Sequence, residues 1–180
     1  AATTSLTIKK QWVGNNVPAN VYAVKFNIKA DGVKLDNQIE VKKDNNWTEV
    51  INDLPKYKAG SEIKYTVEEI AGKDYAQVGD VVPTPDKDGN LIFTATNRNT
   101  ETINFTVKKD WANTPDELKF DAEVTIFADG KPGEHKEFED NLAVFKNLPK
   151  YDAEGKKINY TVKEMFETGQ KEENRQITFG

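Results

Sequence analysis

Lys10, Glu69 and Asn97 each close a run of apolar residues spaced two apart. Leu6 and Ile8 precede Lys10; Ile63, Tyr65 and Val67 precede Glu69; Leu91, Phe93 and Ala95 precede Asn97. In a β-strand, residues two apart share a face, so each polar residue is in phase with a core-facing set. Burying any one of them alone is costly, more so if it is charged. Together they compensate, because a dry setting disfavours both charges: the lysine tends to lose its proton and the glutamate to hold one. A neutral lysine amine is a nucleophile and a carboxamide carbon an electrophile. A protonated carboxyl beside them can polarise the carbonyl and shuttle protons to departing ammonia. The product would be an amide joining the Lys10 and Asn97 side chains. Asn99 shares the face of Asn97 and is the reserve acceptor. The competing reading is a surface ion pair between Lys10 and Glu69, which contributes little.

The strand that carries the nucleophile is repeated. Ile8-Lys9-Lys10-Gln11-Trp12 returns as Val107-Lys108-Lys109-Asp110-Trp111, Ala30-Asp31-Gly32 as Ala128-Asp129-Gly130, and Leu54-Pro55-Lys56-Tyr57 as Leu148-Pro149-Lys150-Tyr151. Ile63 to Glu69 returns as Ile158 to Glu164. The tryptophans are 99 positions apart and the glutamates 95, so small deletions fall between motifs whose order is kept. A tandem repeat follows, with expected domains 1–99 and 100–180. In each Lys-Lys pair the second lysine, Lys10 or Lys109, is in line with the core, while Lys9 and Lys108 point to solvent. Only Arg98 to Glu101 separate the copies, too few residues for a flexible tether.

The elements that must position these residues read as strands and turns. Val24, Phe26 and Ile28 alternate up to Asp31-Gly32, a two-residue hairpin signal. Further strands are expected over Lys34–Lys42, from Trp47, over Ile63–Glu69 and over Leu91–Asn97, with a long loop through Gly72, Gly79, Pro83 and Pro85. Pro55 breaks the pattern because proline offers no N–H to a ladder. Roughly seven short strands per copy, with no helical periodicity, predict an all-β fold of two tandem immunoglobulin-like antiparallel β-sandwiches.

These motifs, in this order, resemble Cna B-type domains, the isopeptide-forming stalk repeats of Gram-positive surface adhesins and pilins. The matching residues are Lys10 and Trp12, Lys109 and Trp111, the Ala-Asp-Gly hairpins, Asn147 to Tyr151 with Asp53 in place of the asparagine in the first copy, Tyr65 to Glu69, Tyr160 to Glu164, and Thr96-Asn97. The resemblance covers almost the whole chain. It implies a self-generated Lys10–Asn97 isopeptide bond with Glu69 as catalytic acid, formed without a cofactor. It implies Lys109 and Glu164 as the corresponding pair in the second copy. That copy stops at Gly180 as its last strand begins with Ile177-Thr178-Phe179, and matching Phe179 to Phe93 puts its acceptor about four residues further on. Lys109 is therefore expected to be an unpaired nucleophile in this chain; Asn174, in the polar run Lys171–Arg175, is a poor substitute.

Composition narrows the alternatives. Asp and Glu, 30 in number, outnumber Lys and Arg, 25, and a net charge of −5 does not suit a phosphate-binding face. No cysteine means no disulfide and no thiolate site, and a single histidine, His135, in the turn-rich segment Lys131–His135, is expected on a solvated loop. Asp86 to Asn90 begins like a calcium loop, but its twelfth position is Asn97 rather than glutamate, so a plain turn is expected. No metal or cofactor is expected, no run is long enough for a membrane helix, and Ala1-Ala2-Thr3-Thr4 lacks the charged start of a leader. The chain thus reads as a monomeric extracellular stalk module, outside the enzymes because its reactive set is consumed in one turnover. Its partners would be neighbouring domains of the same cell-wall-anchored protein and, through other domains, a host matrix protein. The alternative is a ligand-binding adhesin module whose loops present Tyr75 and Phe166.

Overall fold

The computed structural model describes residues 1–116, 122–166, 172–175 and 178–179, the side chains from Phe166 onward excepted. Contacts divide the chain into two compact units, one taking in Ala1–Thr100 and the other Glu101–Asp152 and the chain from Lys156 on.

The first unit contains β1 (Thr3–Trp12), β2 (Ala23–Ala30), β3 (Val33–Lys34), β4 (Ile39–Lys42), β5 (Thr48–Pro55), β6 (Tyr57–Lys58), β7 (Ser61–Glu62), β8 (Tyr65–Glu69), β9 (Tyr75–Gln77), β10 (Val82–Pro85) and β11 (Leu91–Asn99). One sheet has the order β10-β11-β1-β5, with β9 also on β11; the facing sheet has β3 and β4 on one side of β2 and β8 on the other. Alternation fixes the interior. Leu6, Ile8, Lys10 and Trp12 are buried while Lys9 and Gln11 are exposed, and they meet Val24, Phe26, Ile28, Val41, Tyr65, Val67, Phe93 and Ala95 between the sheets.

Two features depart from the sequence reading. The sandwich is not wholly antiparallel: β1 and β11 run parallel, with Ile8 opposite Phe93, Lys10 opposite Ala95 and Trp12 opposite Asn97. Parallel neighbours need a long crossover connection, and here the rest of the unit supplies it. The segment expected as a loop holds two strands, β9 and β10. Pro83 and Pro85 are tolerated because β10 is the sheet edge, where a missing N–H costs no ladder bond.

The second unit contains β12 (Thr102–Lys108), β13 (Ala122–Ala128), β14 (Lys131–Glu137), β15 (Leu142–Pro149), β16 (Tyr160–Phe166), β17 (Glu172–Arg175) and β18 (Thr178–Phe179). They form the sheets β15-β12-β18 and β14-β13-β16-β17 around Phe105, Val107, Val124, Ile126, Phe145 and Val162. The exposed His135 lies in β14 rather than on a loop; β14 is an edge strand, and so accommodates Pro132. The polar run that holds Asn174 supplies β17, which pairs with β16.

Local chemistry explains the repeated motifs. Asp31 and Gly32 both have positive φ (48° and 83°), as do Asp129 and Gly130 (49° and 82°), the backbone that a two-residue hairpin requires. Asp53 and Asn147 occupy equivalent left-handed positions (59° and 57°), which short polar side chains tolerate, so aspartate can stand where the other copy has asparagine. The phenol of Tyr65 donates to the Pro55 carbonyl and that of Tyr160 to the Pro149 carbonyl, each at 2.5 Å, which ties the Tyr-Thr-Val strand to the Leu-Pro-Lys-Tyr segment in both units.

Candidate functional site

β1 brings Lys10 in from the middle of one sheet, β11 lays Asn97 beside it, and β8 presents Glu69 from the opposite sheet. Lys10 and Asn97 are 4% and 0% exposed, and the Glu69 side chain 3%. Because Lys10 is level with Ala95 in the parallel register, Asn97 lies one same-face step along, which puts its carboxamide at the lysine tip. The Lys10 Nζ donates to the Asn97 Oδ1, to the Ala95 carbonyl at 3.2 Å and to the Gln11 carbonyl at 3.1 Å.

Glu69 faces both other groups. Its Oε2 accepts from the Asn97 Nδ2 at 2.7 Å, while its Oε1 lies 3.6 Å from the Lys10 Nζ. The sequence reading set this carboxyl on the Asn97 carbonyl; in the structure it holds the amide nitrogen and the carbonyl faces Lys10. With Lys10 as ammonium and Glu69 as carboxylate, the opposite orientation would set donor against donor and acceptor against acceptor. Burial lowers the Lys10 amine from 10.5 to about 8, even though the Glu69 charge and hydrogen bond pull the other way.

Aromatic rings wall the amine. Its Nζ is 4.6 Å from the centroid of Trp12, and Trp12 in turn meets Trp47 and Tyr75 edge-on at 5.3 and 5.7 Å. Both tryptophans therefore belong to the interior of the site. Tyr75, expected to be presented by a loop, lies half-buried in β9 with its ring packed against Trp12; the Phe166 side chain lies outside the described residues. Trp47 and Gly72 were not singled out as site residues from sequence. The signal for Trp47 was present in its place beside the Asp44-Asn45-Asn46 turn, one residue before β5.

The second unit repeats half of this arrangement. Lys109 and Glu164 are 6% and 0% exposed, their Nζ and Oε1 are 2.5 Å apart, and Trp111 lies 4.4 Å from the lysine. β12 ends at Lys108, so Lys109 sits just past the strand. The last strand differs most. β18 pairs antiparallel with β12, Phe105 opposite Phe179, whereas the first unit aligns seven residues in parallel. Among the described residues no asparagine occupies the place that Asn97 takes beside Lys10; Ile177 lies outside them. Asn174 falls opposite Lys163 in β17. Asn99, the reserve acceptor, is buried at the end of β11 opposite Tyr75. Asp86 forms a turn: its carboxylate accepts the N–H groups of Asp88 and Asn90 at 2.8 and 2.9 Å.

The profile of the Cna protein B-type domain matches the chain twice, over residues 6–98 and 105–178. The collagen adhesin of Staphylococcus aureus is 34% identical over 171 residues, which cover 89% of this chain and 14% of the adhesin. The chain thus spans about a seventh of that relative's length. Among solved structures, a single B repeat unit of the S. aureus collagen-binding surface protein is 29% identical, with a TM-score of 0.43, over 91% of this chain and 86% of that one. A two-repeat structure from the same protein is 28% identical, with a TM-score of 0.44, over 98% and 49%.

Proposed function

We propose that this chain, which belongs to the Cna protein B-type domain family, is a structural stalk or pilin module of a Gram-positive surface protein, and that its first unit is closed by an amide bond between Lys10 and Asn97. The reading assigns catalytic roles to Glu69 and, in the second unit, to Glu164, which lies beside Lys109. It also puts the module outside the cell, among neighbouring domains of a wall-anchored protein whose other domains meet the host matrix.

One observation carries the chemistry: the two oxygens of a single carboxyl, Glu69, face the nitrogen that must lose a proton and the nitrogen that must gain one. In the neutral amine, the Gln11 and Ala95 carbonyls take both N–H bonds and leave the lone pair for the Asn97 carboxamide. Attack of Nζ on Cγ forms one C–N bond. Glu69 accepts the proton from Nζ and returns it to Nδ2; the Cγ–Nδ2 bond breaks and ammonia leaves. The exchange consumes nothing but the two side chains. A lowered lysine pKa keeps a usable fraction of the nucleophile neutral near pH 7.

Intact mass tests this directly. The chain should weigh one ammonia less than its sequence, and denaturation should not restore it. A chain at full sequence mass would falsify the Lys10–Asn97 bond, whereas loss of two ammonias would mean that Lys109 has found an acceptor.

A further inference from the structure

The short β9 segment sits over the reactive centre. β9 pairs with the end of β11, Gln77 opposite Asn97 and Tyr75 opposite Asn99, while Trp12 lies opposite Asn97 on the other side. The Tyr75 ring meets Trp12 at an interplanar angle of 84°. Trp47 holds the same indole from the β5 side, where its carbonyl accepts the Lys10 N–H at 2.9 Å. Two local features seat Tyr75. A Cβ at Gly72 would collide with the Tyr75 hydroxyl oxygen and lie 2.5 Å from its Cζ, so the ring occupies space that only a glycine leaves open. Asp74, at φ 71°, turns the chain into β9, and its carbonyl accepts the Thr100 N–H at 2.8 Å, which fastens the loop to the end of β11. Burial, and then the Glu69 charge, raises the Tyr75 phenol above its ordinary value, so the phenol lies within the electrostatic reach of the relay carboxyl.

We infer that Tyr75, seated against Gly72, is the lid of the Lys10–Glu69–Asn97 centre, a positioning residue that keeps water out and holds Trp12 against the lysine amine. This rests on the proposed bond. Between Glu164 and Phe179 the second copy has a glycine, Gly169, but no tyrosine, so a tyrosine lid belongs to the first copy alone. Among the described residues the groups facing Lys10 are Glu69 from β8, the Tyr75 phenol from β9 by way of Glu69, uncharged Trp47 from the turn before β5, and uncharged Ala95 and Asn97 from β11.

The test is the rate of ammonia loss, followed by intact mass on the full chain made by cell-free synthesis and quenched in acid over a range of pH. Gly72→Ala and Tyr75→Ala should slow the reaction at least about tenfold at pH 7 and move the midpoint of the rate profile from about 8 towards 10.5 as the amine regains water. Tyr75→Phe keeps the ring and should stay within about twofold of the parent with the same midpoint. Equal rates and midpoints in Tyr75→Ala and the parent overturn the lid. If the parent loses no ammonia, the bond is wrong and titration decides the lid by itself. The Lys10 Cε resonance should then titrate at higher pH in Tyr75→Ala than in the parent, and an unmoved titration overturns the lid.

Discussion

Lys10 and Lys9 are chemically identical and one position apart, yet one is buried against Asn97 and the other is exposed. Strand phase alone separates them, and burial then lowers the pKa of the inward one. The same burial has a consequence for pH in a chain that cannot close, such as Asn97→Ala. Burial lowers the folded Lys10 from its ordinary 10.5 to about 8 in the parent, and a variant that keeps the amine buried should keep it lowered. Between those values the unfolded chain binds more protons, so stability rises with pH through the window and levels off above it. The gain should be roughly 3 kcal/mol at most, since a tenfold change in proton affinity is worth about 1.4 kcal/mol. Urea unfolding of Asn97→Ala at a series of fixed pH values measures this, and a flat profile would mean that Lys10 keeps its proton when folded.

The elements of the two copies are built from the same devices, which is why the motifs repeat when their spacing does not. The tyrosine of Tyr-Thr-Val donates to the proline carbonyl of Leu-Pro-Lys-Tyr in both units, a bond across 10 residues in one and 11 in the other. Tyr160→Phe removes the hydroxyl and leaves the Pro149 carbonyl to find another donor. It should cost about 1 kcal/mol in chemical denaturation of the second unit, the usual net worth of such a bond; no change would relegate the contact to packing. Element by element, β1, β2, β8 and β11 were legible from their alternation. Two parts were not: β9 is only three residues long and β10 is half proline, so neither shows an apolar period, and the parallel pairing of β1 with β11 leaves no local signature, because it joins residues 85 positions apart.

At the scale of the whole chain, the proposed bond links residues 87 positions apart, so it shortens the unfolded chain as well as bracing the folded one. Loop closure of that length is worth roughly 4 to 5 kcal/mol by the relation used for disulfides. The mechanical effect is larger in kind. Tension entering at β1 passes through Lys10 to Asn97 and leaves by the end of β11, bypassing every strand between. Pulled from its two ends, the 180-residue chain should release the length of the second unit only, and Lys10→Ala should add a second release. Two releases from the parent chain would show that the first unit is not closed.

The sequence by itself determined which residues face inward and which three belong together, because a period of two assigns faces and the cost of burying a lone charge demands partners. It also determined that the module occurs twice. Tertiary structure alone decided how the three meet. The parallel register carries Asn97 past Ala95 to the lysine tip, the approach of the second sheet turns Glu69 onto the amide nitrogen rather than the carbonyl, and the β9 turn lays Tyr75 over Trp12. Those are relations between strands distant along the chain, and periodicity reports only the face a side chain takes, not the strand that will lie against it.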